Sequence, residues 1–80
     1  MKTKDSPFPA DNRLVEIGNH IRFLRKTHTN LSAENFANEN GFDRVQYSRI
    51  EKGTNITMKT LLKIVDVHNI SLKEFFNSFE

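Results

Sequence analysis

Arg44, Ser48, Arg49 and Lys52 fall within nine consecutive residues, and their side chains suit contact with nucleic acid. A guanidinium can donate to guanine O6 and N7 together, with about 1–3 kcal/mol of discrimination for a good pair. A serine hydroxyl can serve a base or a phosphate, and a lysine ammonium positions a phosphate without reading sequence. From Arg44 to Lys63 there are five positive charges against one negative; from Ile64 to Glu80 there is one positive against three negative. The formal net charge is only +2. Where the charge sits, rather than its sum, is what points to a polyanionic partner. An ordinary solvated face would explain the same charges if no architecture stood behind them.

Other chemistries have less to stand on. The three histidines, His20, His28 and His68, lack the spacing of metal ligands with a nearby acidic partner. His20 and His28 are eight apart and could share a helix face, but two histidines alone seldom make a site. There is no cysteine, hence no thiolate nucleophile, no disulfide and no thiolate zinc site. No glycine-rich phosphate loop is present. The expectation is a protein that is not an enzyme and needs no cofactor or metal.

The residues around this cluster supply the elements that would position it. Leu31 to Gly53, LSAENFANENGFDRVQYSRIEKG, reads as two short helices with a tight turn between them. Ser32 can cap the first by accepting from a free backbone N–H. Phe36 and Ala37 then share its inner face, with Glu34, Asn35, Asn38 and Glu39 mostly outside. Gly41 can take the positive φ that ends a helix. Asp43 caps the second helix, with Gln46 three residues on as in a capping box. Tyr47 and Ile50, at i and i+3, face inward; Arg44, Val45, Ser48, Arg49 and Lys52 take the other faces. Such a pattern describes a helix-turn-helix that offers its second helix outward.

This stretch resembles the lambda-repressor/Cro-like (Xre) helix-turn-helix family of transcriptional regulators. The resemblance rests on Leu31-Ser32, Glu34, Ala37, Gly41, Arg44 and above all Ser48-Arg49-Ile50-Glu51-Lys52-Gly53. It extends to Ile17-Gly18, Ile21-Arg22 and Leu24-Arg25-Lys26 before, and to Leu61-Leu62-Lys63-Ile64, Ile70-Ser71-Leu72 and Glu74-Phe75-Phe76 after, so it covers residues 12 to 77. In size the chain is similar to the restriction–modification controllers and stand-alone phage-type regulators of that family.

The resemblance implies roles. Its base-contacting positions fall on Arg44, Val45, Ser48 and Arg49, with Val45 suited to a thymine methyl. Arg22 and Lys52 suit phosphates. The family often has a phosphate-binding glutamine where this chain has Ala33, so the phosphate clamp is weaker on that helix unless Asn30, Ser32 or Asn35 takes that part. An arginine matching Arg25 pairs in the family with a glutamate matching Glu51, which would lock the second helix to the scaffold. Asp43 is explained by its cap, though a carboxylate there also repels phosphate or accepts from cytosine.

The rest of the chain fits one small domain of five helices. Residues 1–10, with two prolines and no helical periodicity, read as a flexible arm in which Lys2 and Lys4 could follow a groove and Phe8 could pin the arm; 11–80 read as the DNA-binding domain. Asp11 or Asn12 caps a first helix whose Leu14, Ile17, Ile21 and Leu24 make one apolar face. Gly18, costly in mid-helix, suggests close approach of a neighbour. Thr27 to Asn30 reads as a polar connection, and Phe23 as a packed edge residue. Ile56 plugs the core. Thr57 caps a fourth helix with Met58, Leu61, Leu62 and Val65 on its apolar face, widened by Ile64. His68 reads as a packing residue and Asn69 as a left-handed stop. Ser71 and Glu74 form a capping box. Phe75 enters the core; Phe76 and Phe79 either complete it or make a dimer patch.

The expected fold is therefore all-α, a five-helix lambda-repressor-like domain with a central helix-turn-helix. The expected function is regulation of transcription by a homodimer on a palindromic double-stranded DNA operator. Two alternatives stay open: an antitoxin-type regulator whose aromatic C-terminal face meets a toxin, and a protein-interaction module on the same scaffold. A protein partner such as a toxin or polymerase fits either. No apolar run is long enough to span a membrane and no signal-peptide pattern opens the chain, so a cytoplasmic location is expected.

Overall fold

The computed structural model describes residues 11–77. Five helices follow in order: α1 (Asn12–His28), α2 (Ala33–Glu39), α3 (Arg44–Glu51), α4 (Met58–Val67) and α5 (Leu72–Asn77). There is no strand among the described residues, and the all-α, five-helix architecture is as the sequence predicts.

Local chemistry sets the helix starts. Asp11, Ser32, Asp43 and Thr57 each stand in extended backbone, and each side chain accepts from an N–H two or three residues on. Ser71 and Glu74 bond each other's backbone N–H reciprocally, at 3.0 and 2.8 Å. The stops are equally local. Gly41 takes φ 78° between α2 and α3, and Asn69 takes φ 59° after α4. The polar connection expected from Thr27 is shorter than its composition suggests. Helix α1 runs on through His28, and Thr29 closes it by donating both its N–H and its hydroxyl to the Arg25 carbonyl, each at 2.9 Å. Arg25, Lys26 and His28 in that last turn suit the negative end of the helix.

The core lies where α1, α4 and α5 close over the α2–α3 pair. Ile21, Leu24, Phe36, Ala37, Tyr47, Ile50, Leu61, Ile64, Val65 and Phe75 are all buried there, with Ile56 packed at the margin. Phe42, in the turn, stacks on Phe36 at 6.2 Å. Gly18 is the point of closest approach between α1 and α3. A Cβ at that position would collide with the Ile50 carbonyl oxygen and sit 2.9 Å from that of Glu51.

Three apolar residues depart from the expected pattern. Met58 and Leu62 are exposed: α4 turns the Leu61, Ile64, Val65 and His68 stripe inward, Leu62 lies off it, and Met58 is the helix's first residue. Phe23 is 58% exposed and touches the scaffold through His20, ring to ring at 5.9 Å. Phe76 is 42% exposed and so does not complete the core, whereas Phe75 beside it is fully buried. Phe79, Lys2, Lys4 and Phe8 lie outside the described residues.

Candidate nucleic-acid interface

The inner side of α3 is fastened before its outer side can do anything. Tyr47 and Ile50 are buried against α2 and α1, at 1% and 2% exposure. Tyr47 packs on Phe36 and Phe42 with ring centroids 5.3 and 5.4 Å apart. At the helix's last turn Glu51 receives a two-pronged bond from Arg25: Nε to Oε2 at 2.8 Å and Nη2 to Oε1 at 2.9 Å. Both residues are 7% exposed. Arg25 also donates through Nη1 to the Leu31 carbonyl at 2.7 Å, just before the cap of α2. One guanidinium thus joins the end of α1, the entry to α2 and the end of α3. Its hydrogen bonds to Glu51 raise its pKa further above an already high value. The Tyr47 hydroxyl is buried close by; burial, and then the Glu51 carboxylate, push the phenol's pKa upward.

The turn has its own fastening. Lys63 on α4 donates to the Gly41 carbonyl at 2.8 Å and lies 4.5 Å over the Phe42 ring. It therefore serves the scaffold as well as the positive field between Arg44 and Lys63. A cation over an aromatic face adds about 0.5–1 kcal/mol at an exposed site.

The outer side of α3 is open. Arg44, Val45, Arg49 and Lys52 are exposed and Ser48 is half-buried; Val45, an apolar side chain, is 58% exposed. With Glu34 of α2 they line one shallow depression. Val45 and Arg49 also border a second, with Asp43, Gln46, Thr54 and Asn55. Gln46, Thr54 and Asn55 have no place among the site residues inferred from sequence. The loop turns back beside the helix through a Schellman cap: Gly53 takes φ 103°, its N–H bonds to the Ile50 carbonyl at 3.0 Å, and the Thr54 N–H bonds to the Arg49 carbonyl at 3.1 Å.

The remaining candidates lie on other elements. Arg22 is exposed on α1; Asn30, Ser32 and Asn35 are exposed at the entry to α2. Ser32 Oγ accepts from the Asn35 N–H at 3.1 Å, which leaves its hydroxyl proton free to donate outward. The histidines do not gather into one site. His20 packs edge-on to Phe75, whereas His28 meets His68 across the fold. No group of three or more histidine, cysteine, aspartate or glutamate side chains able to hold a metal occurs among the described residues. No helix among them is long and apolar enough to cross a membrane.

Comparison with known proteins agrees with this architecture. A family model described as helix-turn-helix matches residues 21–75. Control protein C.MunI from Mycoplasma sp is 40% identical over 67 residues, covering 82% of this chain and 90% of that protein. No solved structure gives a significant match.

Proposed function

Since the chain belongs to the Xre-like helix-turn-helix family of DNA-binding transcriptional regulators, we propose that it binds a palindromic double-stranded operator as a homodimer and regulates transcription by occupancy. Two α3 helices enter successive major grooves about one helical turn apart. Arg44, Val45, Ser48 and Arg49 meet base edges. Arg22 and Lys52 hold phosphates, and Asn30, Ser32 and Asn35 stand in for the glutamine that Ala33 lacks. The reading unit is residues 11–80, with 1–10 as an arm, and it works in the cytoplasm without catalysis of its own.

The observation that carries this reading is the two-sidedness of α3. Its inner residues are locked by burial and by the Arg25–Glu51 pair, while its outer side offers two arginines, a lysine and an exposed valine. An exposed valine gains nothing in water, but against a thymine methyl it gains contact. The designation of the Mycoplasma relative as a control protein supports a regulatory role. For the dimer, the support is Phe76, a large apolar ring left 42% exposed beside buried Phe75.

The double variant Arg44→Glu/Arg49→Glu tests the reading. Both positions are exposed, so the melting temperature should stay within a degree or two of the parent, while binding to the duplex that the parent selects from a random library is lost. Unchanged binding with an intact fold would contradict the assignment. A partner that still binds through the Phe76 face would then favour the antitoxin-type or protein-interaction alternative.

A further inference from the structure

His28 ends α1 and His68 caps α4, forty residues apart in sequence. Their Nδ1 atoms face each other at 3.1 Å, with ring centroids 5.1 Å apart. His68 is 8% exposed and lies flat on Phe36 of α2, centroids 5.3 Å apart and planes within 10°. Its Nε2 is buried without a hydrogen-bond partner. His28 is open to solvent.

Two imidazole nitrogens at hydrogen-bond distance need one proton between them. If His68 carried its proton on Nε2, that N–H would be a buried donor with nothing to meet, which costs about 1–3 kcal/mol. If His68 carries it on Nδ1, the proton points at His28 Nδ1, and only a lone pair is left at the buried Nε2. His28 then keeps its own proton on Nε2, in water. Only this pairing of neutral tautomers satisfies both donors. A metal bridging the two Nδ1 atoms would force the His68 proton onto buried Nε2. A ligating imidazole normally donates its other N–H to an acceptor, and here there is none.

We propose that His28 and His68 form a proton-gated clasp between the ends of α1 and α4, closed only while both rings are neutral. A proton added to His28 must go on Nδ1, the nitrogen that accepts from His68. Two donors then face each other, or His68 retreats to the tautomer with the buried N–H. Either way the exposed His28 ring does better by swinging into water. A proton added to His68 places a charge on a ring packed against Phe36.

The surrounding charges offer little relief. His28 faces His68 from α1, Glu39 borders the same hollow from α2, and the Glu51 carboxylate acts on it from α3. Glu51 is the one of these that favours a charged His68, and it is already taken up by Arg25. Asp66, on the same helix, is exposed. Burial and then His28 hold the His68 pKa below the ordinary histidine range. Through Phe36, which packs on Tyr47, the clasp also braces the pair of helices that carries α3. Acidification therefore loosens the DNA-reading unit from behind.

Long-range proton–nitrogen NMR of the full chain between pH 8 and pH 5 tests this. The expected result at pH 8 is His68 as the Nδ1–H tautomer and His28 as the Nε2–H tautomer. On acidification the His68 nitrogens should respond in two steps, because a proton on either ring disfavours one on the other. The His28→Ala variant, altered at an exposed position, should shift the His68 nitrogens and uncouple its titration. The His68→Phe variant should keep the stack on Phe36 and flatten the fall in melting temperature below neutral pH. If His68→Phe does not fold, His28→Ala still decides the matter. An Nε2–H tautomer for His68 at pH 8, or a His68 titration unchanged by His28→Ala, would overturn the clasp.

Discussion

Arg49 and Glu51 are two residues apart and belong to different jobs, and truncation should separate them. Arg49 is exposed on the outer side of α3. Arg49→Ala should leave the melting temperature unchanged and relax preference at one base pair, a loss of about 1–3 kcal/mol in discrimination. Competition binding with single-base operator variants reads that loss directly. Glu51 is 7% exposed and holds a guanidinium that is equally buried. Glu51→Ala leaves that charge without its partner, which costs about 3–5 kcal/mol in a buried pair. Thermal or denaturant unfolding should show the deficit before any DNA is added; equal stability of parent and variant would contradict the lock. At this scale the sequence was legible where a signal is local. Caps at Ser32, Asp43, Thr57 and Ser71, and the stop at Asn69, each follow from a few neighbouring residues. The His28–His68 contact was not legible, because nothing in either neighbourhood points forty residues away.

Helices α1 and α3 cross so closely at Gly18 that propensity and packing oppose each other there. Alanine gains about 0.8–1.0 kcal/mol over glycine in a helix interior. The added Cβ, however, would run into backbone, the Ile50 and Glu51 carbonyls, which cannot turn aside as a side chain can. Overpacking of this kind costs about 1–3 kcal/mol or more. Gly18→Ala should therefore lower the melting temperature and, by pushing α3 outward, weaken DNA binding more than the stability loss explains. The pairing of α1 with α4 is pH-dependent. His68 and His20 are both held below the ordinary histidine range by burial. A depressed histidine pKa means folding favours the neutral ring. That stability is present above the unfolded value of about 6.5 and is lost as pH falls through the folded values. Melting temperature should be flat above pH 7.5 and decline toward pH 5. Element order, number and inner faces were legible because helical periodicity is strong. The overrun of α1 through His28 was not, since threonine, histidine and asparagine read as loop until Thr29 is seen bonding back to Arg25. Leu62 departs from the expected face for a related reason: apolar type suggests an inward side chain, but the axial rotation of α4 is set by its neighbours.

As a whole, the molecule presents two surfaces of different character, a cationic side at α3 and an aromatic one at α5. Phe76 is the exposed apolar ring of α5 among the described residues. Phe76→Asp should shift the protein toward monomer in sedimentation experiments and weaken operator binding, with the fold retained because the side chain is not part of the core. A lone small domain holds one half-site, and losing the second should be felt as a steep drop in affinity. The fold and the family were legible as a whole because many weak local signals agree in order and spacing. The rim of the DNA-facing surface was less so. Thr54 and Asn55 come beside Arg49 through the turn of the chain after α3, and Gln46 lies one helical turn before Arg49 on α3 itself.

Selection of bound duplexes from a random library, followed by salt titration of the winner, tests sequence-specific dimeric binding most directly. The result expected is an inverted repeat with half-site centres about one helical turn apart. Its affinity should fall steeply with salt, at about −0.9 in log–log slope for each phosphate neutralised. Failure to enrich any sequence, with the protein folded, would contradict the proposed function.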